Sequence, residues 1–171
     1  MARQFIAPVL ILFAGLASAE EIPGPLISNP LIDYGAFQRG VERVGAVREQ
    51  LRVTEREFIR MAADGSTVIL DARSAEKFAL LHVKGAKNLS LPDITEQELA
   101  KLIPSKSTRI LIYCNNNFAN EPKAFPSKDL SASLNVYTLN VLFAYGYTNV
   151  YELGPLIDIR KTRIPFERET T

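Results

Sequence analysis

The chain has 171 residues, 47% hydrophobic and 23% charged, which suits one globular domain and excludes a fibrous or disordered chain. Twenty basic against nineteen acidic side chains give a net charge of +1, so no basic surplus exists to neutralise phosphates and nucleic acid is excluded as a partner. A single Cys rules out an internal disulfide, and one Cys with one His offers no metal-ligand set; no cofactor is expected.

Residues 1–19 combine Arg3, an apolar run over 5–16 and the small-residue pattern Ala17-Ser18-Ala19. This is the pattern of a secretory signal peptide, too short for a membrane span of about 20 residues. The expectation is an exported protein, periplasmic or secreted, whose mature chain begins at Glu20 and keeps no stable membrane insertion. Residues 20–53 form a lead-in segment: three prolines near its start, then Ile32, Phe37, Val41, Val44 and Val47 at spacings of a short amphipathic helix. The domain proper is expected over 54–171.

Thr54 followed by Glu57 is a capping box opening a helix, with Gly65 placed to end it in a left-handed conformation. Thr67-Val68-Ile69-Leu70 and Ile110-Leu111-Ile112-Tyr113 are short apolar runs of the kind found in buried parallel strands. Between them lie a helical piece near 75–81, a turn at Lys84-Gly85-Ala86 and a second capped helix near 95–102. After Cys114 the chain is irregular to about residue 130. A helix with Leu134, Tyr137, Val141, Leu142 and Tyr145 on its core face then stops at Gly146, and a strand near 149–153 follows. Alternating strands and helices imply an α/β fold, a central parallel sheet flanked by helices on both faces.

Four blocks in this order resemble the rhodanese-like (sulfurtransferase-type) domain family. They are VILDARSAEKF (68–78), LLHVKGAKNLSL (80–91), RILIYC (109–114) and LFAYGYTNVYELGP (142–155). The resemblance implies a single rhodanese-like domain with Cys114 as the catalytic thiol. It also implies that the loop after Cys114 and the Arg73 of the Asp-x-Arg motif bind substrate. The family's catalytic loop is rich in Gly and Arg, whereas this one reads Asn115, Asn116, Asn117, Phe118, Ala119, Asn120, followed by an insertion over 121–130.

Sulfur transfer requires a thiolate that attacks a donor and carries the extra sulfur as a persulfide. A strand's carboxyl end facing a helix N-terminus favours negative charge. Asn tolerates left-handed backbone, so three of them in a row are expected to curl amides toward Cys114, with carboxamides donating as well. The alternative for Cys114 is an inert thiol packed at the sheet edge. For Arg73 it is a structural ion pair with Asp71 or Glu76, and for His82 a structural turn. Lys123 and Lys128 are candidates to replace the missing loop Arg.

Two functions follow. One is a sulfurtransferase working on a small sulfur-containing donor and a thiol acceptor. The other is a catalytically weak or inactive module that binds a partner protein or an anion through 115–130. Phosphatase-like use of the Cys ranks last, because no loop Arg is present to hold phosphoryl oxygens. Phe118 and Phe125 are expected to fold over the mouth above Cys114 as a lid, or else to form an exposed docking patch.

Overall fold

The computed structural model describes residues 27–169. The expected signal peptide and its cleavage site before Glu20 lie outside the described residues. The unit described below is compact from Asp33 onward.

Its first helix, α1 (Tyr34–Leu51), is the amphipathic helix expected from the spacing of Phe37, Val41, Val44 and Val47, with Ile32 lying before its start. It starts at Asp33, whose carboxylate accepts from the Ala36 amide at 2.8 Å. It runs into β1 (Arg52–Val53), which pairs with β7 (Val150–Leu153). The lead-in segment therefore supplies a helix and an edge strand, and the compact unit begins before the boundary expected at residue 54.

Helix α2 (Glu55–Ala62) carries the full capping box: the Glu57 amide donates to Thr54 Oγ1, and the Thr54 amide to Glu57 Oε2. It ends through Ala63 in right-handed backbone. Gly65 is thus not the left-handed terminator expected; the described glycines with positive φ are Gly85 and Gly146, at the two turns. Strand β2 (Val68–Asp71), helix α3 (Ala75–Leu80) and the short strands β3 (His82–Val83) and β4 (Lys87–Asn88) follow. Helix α4 (Glu96–Leu102) leads to strand β5 (Ile110–Tyr113). After Cys114 come β6 (Phe118–Ala119), α5 (Leu134–Ala144), β7, β8 (Ile157–Asp158) and β9 (Phe166–Glu167).

The main sheet has the order β1-β7-β5-β2-β4, parallel throughout, with β5 in the middle. Alternation along the strands makes two cores. Val68, Leu70, Ile110, Ile112 and Val150 face one side, against Val44 of α1, Leu99 of α4 and Leu139 and Leu142 of α5. Ile69, Leu111, Tyr113 and Leu153 face the other, against Phe58 of α2, Phe118 and Phe125. Burial on both faces is why Val68–Leu70 of β2 and all of β5 are continuous apolar runs rather than alternating ones. Two ribbons flank it, β3 antiparallel to β9 and β6 parallel to β8.

Candidate active site

Cys114 leaves β5 at the carboxyl edge of the central strand, where open α/β sheets bind ligands. Its residue is 1% exposed, yet it helps line a cavity of about 280 Å³ together with Arg48, Arg52, Asn116, Asn117, Ser133, Asn135 and Glu152, among others. Sγ lies 3.3 Å from Ser133 Oγ. Ser133 is the N-cap of α5 but makes no side-chain cap bond, so its hydroxyl is directed to the sulfur instead of to the helix. The first turn of α5, with amides that no helix can satisfy internally, stands at the same wall.

The three asparagines act differently from expectation. Asn115–Asn117 form one right-handed 3-10 turn, and the single non-glycine residue with positive φ among those described is Asn120, at +71°. The carboxamides of Asn116 and Asn117 bond the protein's own backbone. Asn117 Oδ1 accepts from the Cys114 amide at 2.8 Å and from Asn135 Nδ2 at 3.1 Å, while its Nδ2 donates to Leu153 O at 2.6 Å. This one side chain locks the cysteine to the end of β7. Asn116 is bound in both directions to the backbone of Lys128, closing the base of the insertion. Asn115 is buried outside the cavity lining, its Oδ1 without a partner among the described residues.

Phe118, Ala119 and Asn120 do not line the cavity. Phe118 and Phe125 are 2% and 1% exposed in the core on the α2 side, in a cluster with Tyr113 and Phe166. They are neither a lid over the sulfur nor an exposed patch, because burying two aromatic rings outweighs leaving them at a solvated rim. Ala119 pairs with Asp158 in the β6–β8 ribbon. The Asn120 carboxamide, then the Arg160 amide, hold Asp158 down to about 2.

Arg73 likewise lies away from the cavity. It is 1% exposed and forms a fork on Asp71, with Nε 2.9 Å from Oδ1 and Nη2 2.6 Å from Oδ2. It also donates to Leu81 O and Ala124 O at 2.8 Å each. Asp71 accepts a further bond from the Tyr113 hydroxyl at 2.5 Å; burial, then the Asp71 charge, push that phenol well up. The ion-pair alternative describes this residue: buried, and bonded through Nε, Nη1 and Nη2 to Asp71 and to the backbone of Leu81 and Ala124, Arg73 is directed into the core and not to the cavity. His82 stacks on Phe78 at 3.7 Å and bonds Phe78 O through Nδ1, a structural placement on the same side.

Ser133, Asn135, Arg48, Arg52 and Glu152 were not among the sequence candidates. Ser133 carried a signal, a capping residue at the head of the helix after the loop. The arginines carried none beyond their place at the end of α1. Glu152 is 2% exposed and reaches Arg48 Nη2 at 2.6 Å and Arg52 Nε at 3.4 Å. Burial raises its carboxyl despite those two cations.

A lone thiol at the carboxyl end of the central strand of a parallel α/β sheet, over a polar cavity, defines a cysteine-centred α/β domain. Residues 54–154 match the model of the Rhodanese-like domain, and the chain belongs to that family. A rhodanese-like domain of Anabaena sp., solved in solution, shares 19% identity at TM-score 0.51, covering 70% of this chain and 80% of that one. A rhodanese with anions from E. coli shares 20% at 0.40, covering 60% and 99%. A thiosulfate sulfurtransferase of Pseudomonas aeruginosa shares 23% at 0.49, covering 69% of this chain and 20% of that one. The likeness to the Anabaena domain bears on the fold alone. No curated protein matches the chain at a significant level.

Proposed function

We propose that the protein is a thiol-dependent sulfurtransferase that carries sulfane sulfur as a persulfide on Cys114. The observation that carries the reading is the placement of the chain's one thiol against a cavity at the sheet's carboxyl edge, with the Ser133 hydroxyl 3.3 Å from sulfur. In the first step the Cys114 thiolate attacks the donor's outer sulfur; a new S–S bond forms as the donor's own S–S bond breaks and its remainder leaves with the electron pair. In the second, a small thiolate attacks the outer persulfide sulfur, and Cys114 leaves as a thiolate. Ser133 can donate to either anion, a charge-assisted bond of the stronger kind. Export through residues 1–19 belongs to the same reading; the mature chain should start at Glu20 by intact mass.

Incubating the protein with thiosulfate or an organic persulfide and measuring intact mass tests the function. A gain of one sulfur, reversed by a thiol and absent in Cys114→Ser with unchanged circular dichroism, is expected. A wild-type chain that never gains sulfur from any donor would refute it. The 1% exposure of Cys114 favours the second reading in that event, a rhodanese-fold module binding a partner through 115–130.

A further inference from the structure

Helix α1 is longer than the helix it packs on. Its 18 residues span roughly 27 Å against roughly 16 Å for the 11 of α5, at 1.5 Å per residue. Val44 anchors α1 at 3% exposure, in one core with Leu139 and Leu142, while Phe37 and Val41 nearer its start stay 49% and 38% exposed. Between the two helices lies a cavity of about 600 Å³, walled by Phe37, Gly40 and Val44 from α1 and by Val141, Phe143 and Ala144 from α5. It shares no lining residue with the cavity beside Cys114. Its size and apolar walls are those of small-molecule sites.

Two features point to the kind of ligand. Gly40 stands inside α1, where glycine is less stable than alanine, and a Cβ built there would meet nothing within 4 Å. Packing among the described residues therefore does not ask for glycine at this position; the missing side chain keeps the cavity open. The second feature is charge. Arg43 is the one charged residue in the lining. The other arginines of α1 and β1 are paired, Arg39 with Asp33, Arg48 with Glu152 and Arg52 with Glu49, whereas Arg43 has no ion pair among the described residues. An apolar chamber with one uncompensated cation complements an apolar body bearing one negative charge.

We propose that the cavity between α1 and α5 binds a small anionic amphiphile, a free carboxylic acid with a medium-length alkyl or aryl body. The body fills the space over Gly40, and the carboxylate meets the planar fork of Arg43, which fits two oxygens. A second copy of the chain suits this face less well, because a two-fold contact over it would bring Arg43 toward its own counterpart, a like-charge pair. The site is separate from Cys114, so it stands or falls independently of sulfur transfer.

The test is an amide chemical-shift titration of the full chain with octanoate and, as the neutral counterpart, 1-octanol. Octanoate should shift the amides of Gly40, Arg43 and Ala144 saturably and leave those of Cys114 and Asn117 in place. Gly40→Leu, which fills the space, should weaken octanoate about tenfold through lost apolar contact. It should also keep or raise the Tm, since leucine favours the helix over glycine. Should Gly40→Leu fail to fold, Ala144→Leu narrows the cavity from the other wall and should weaken octanoate in the same way. Arg43→Gln should weaken octanoate about fivefold, the upper end for an exposed ion pair, and leave 1-octanol unchanged. The absence of a saturable shift at these amides, or full affinity in the folded leucine variants, overturns the site. Equal losses of both ligands in Arg43→Gln overturn the anionic class. A dimer in sedimentation that Gly40→Leu dissociates, or recovery of the chain on anionic vesicles without octanoate binding, assigns the face to another occupant and overturns the proposal as well.

Discussion

Phe125→Ala is the sharpest test of where the inserted loop places its aromatic groups. The ring is 1% exposed, 4.7 Å from Phe118 and 6.1 Å from Phe166 between centroids, and the buried guanidinium of Arg73 lies 4.2 Å over it. Truncating a buried Phe costs about 3–5 kcal/mol through lost transfer energy and the cavity left behind. Losing a desolvated cation–π contact places this site in the upper half of that range. At about 2–4 °C per kcal/mol for a chain of this size, thermal unfolding should drop by roughly 8–20 °C. Phe125→Leu, which refills most of the space, should fall by well under half of that. Had the ring been a lid over the sulfur, its removal would cost at most about 0.5 kcal/mol, as for other surface substitutions, and would speed Cys114 alkylation. Scanning calorimetry gives the first quantity, and iodoacetamide kinetics well below the variant's unfolding temperature give the second. A near-unchanged Tm with faster alkylation would refute the core assignment.

Asn117→Ala leaves the Cys114 amide and Leu153 O without their partner in a buried place, so it should cost about 2–4 kcal/mol, read from urea midpoints; a loss below about 0.5 kcal/mol would show that water replaces the clamp. Glu152 has a folded-state pKa raised above its ordinary 4.5, burial being the first cause. Such a group favours the folded state while protonated, and that contribution is lost as pH rises through the raised value. Glu152→Gln should therefore match the wild type in stability at about pH 4 and exceed it at about pH 7; urea midpoints that reverse this order would show that the two arginines outweigh desolvation.

The sequence by itself determined the layered fold, the order of its strands and helices, and the position of Cys114. These features are local: Thr54 and Glu57 cap a helix wherever it sits, and the runs at 68–70 and 110–113 are apolar throughout because parallel strands are covered on both faces. Asp71 and Arg73, two residues apart at a strand end, could be read as an ion pair for the same reason. What the sequence left open was the destination of side chains whose partners are distant along the chain. Phe118 and Phe125 were legible as aromatic groups in a loop but not as core, since their neighbours Arg73 and Phe166 are brought to them only when β9 and the end of β2 assemble. Asn117 was legible as a loop residue but not as the clamp between Cys114 and Leu153, which meet only once β7 lies beside β5. The cations of the cavity lie furthest from any local signal: Arg48 and Arg52 precede Cys114 by many elements of the chain. They reach it because β1 pairs with β7 and α1 packs on α5. Periodicity and caps act over one or two turns of chain, so they specify elements; long-range pairing, which only the folded sheet establishes, decided which charges face the sulfur.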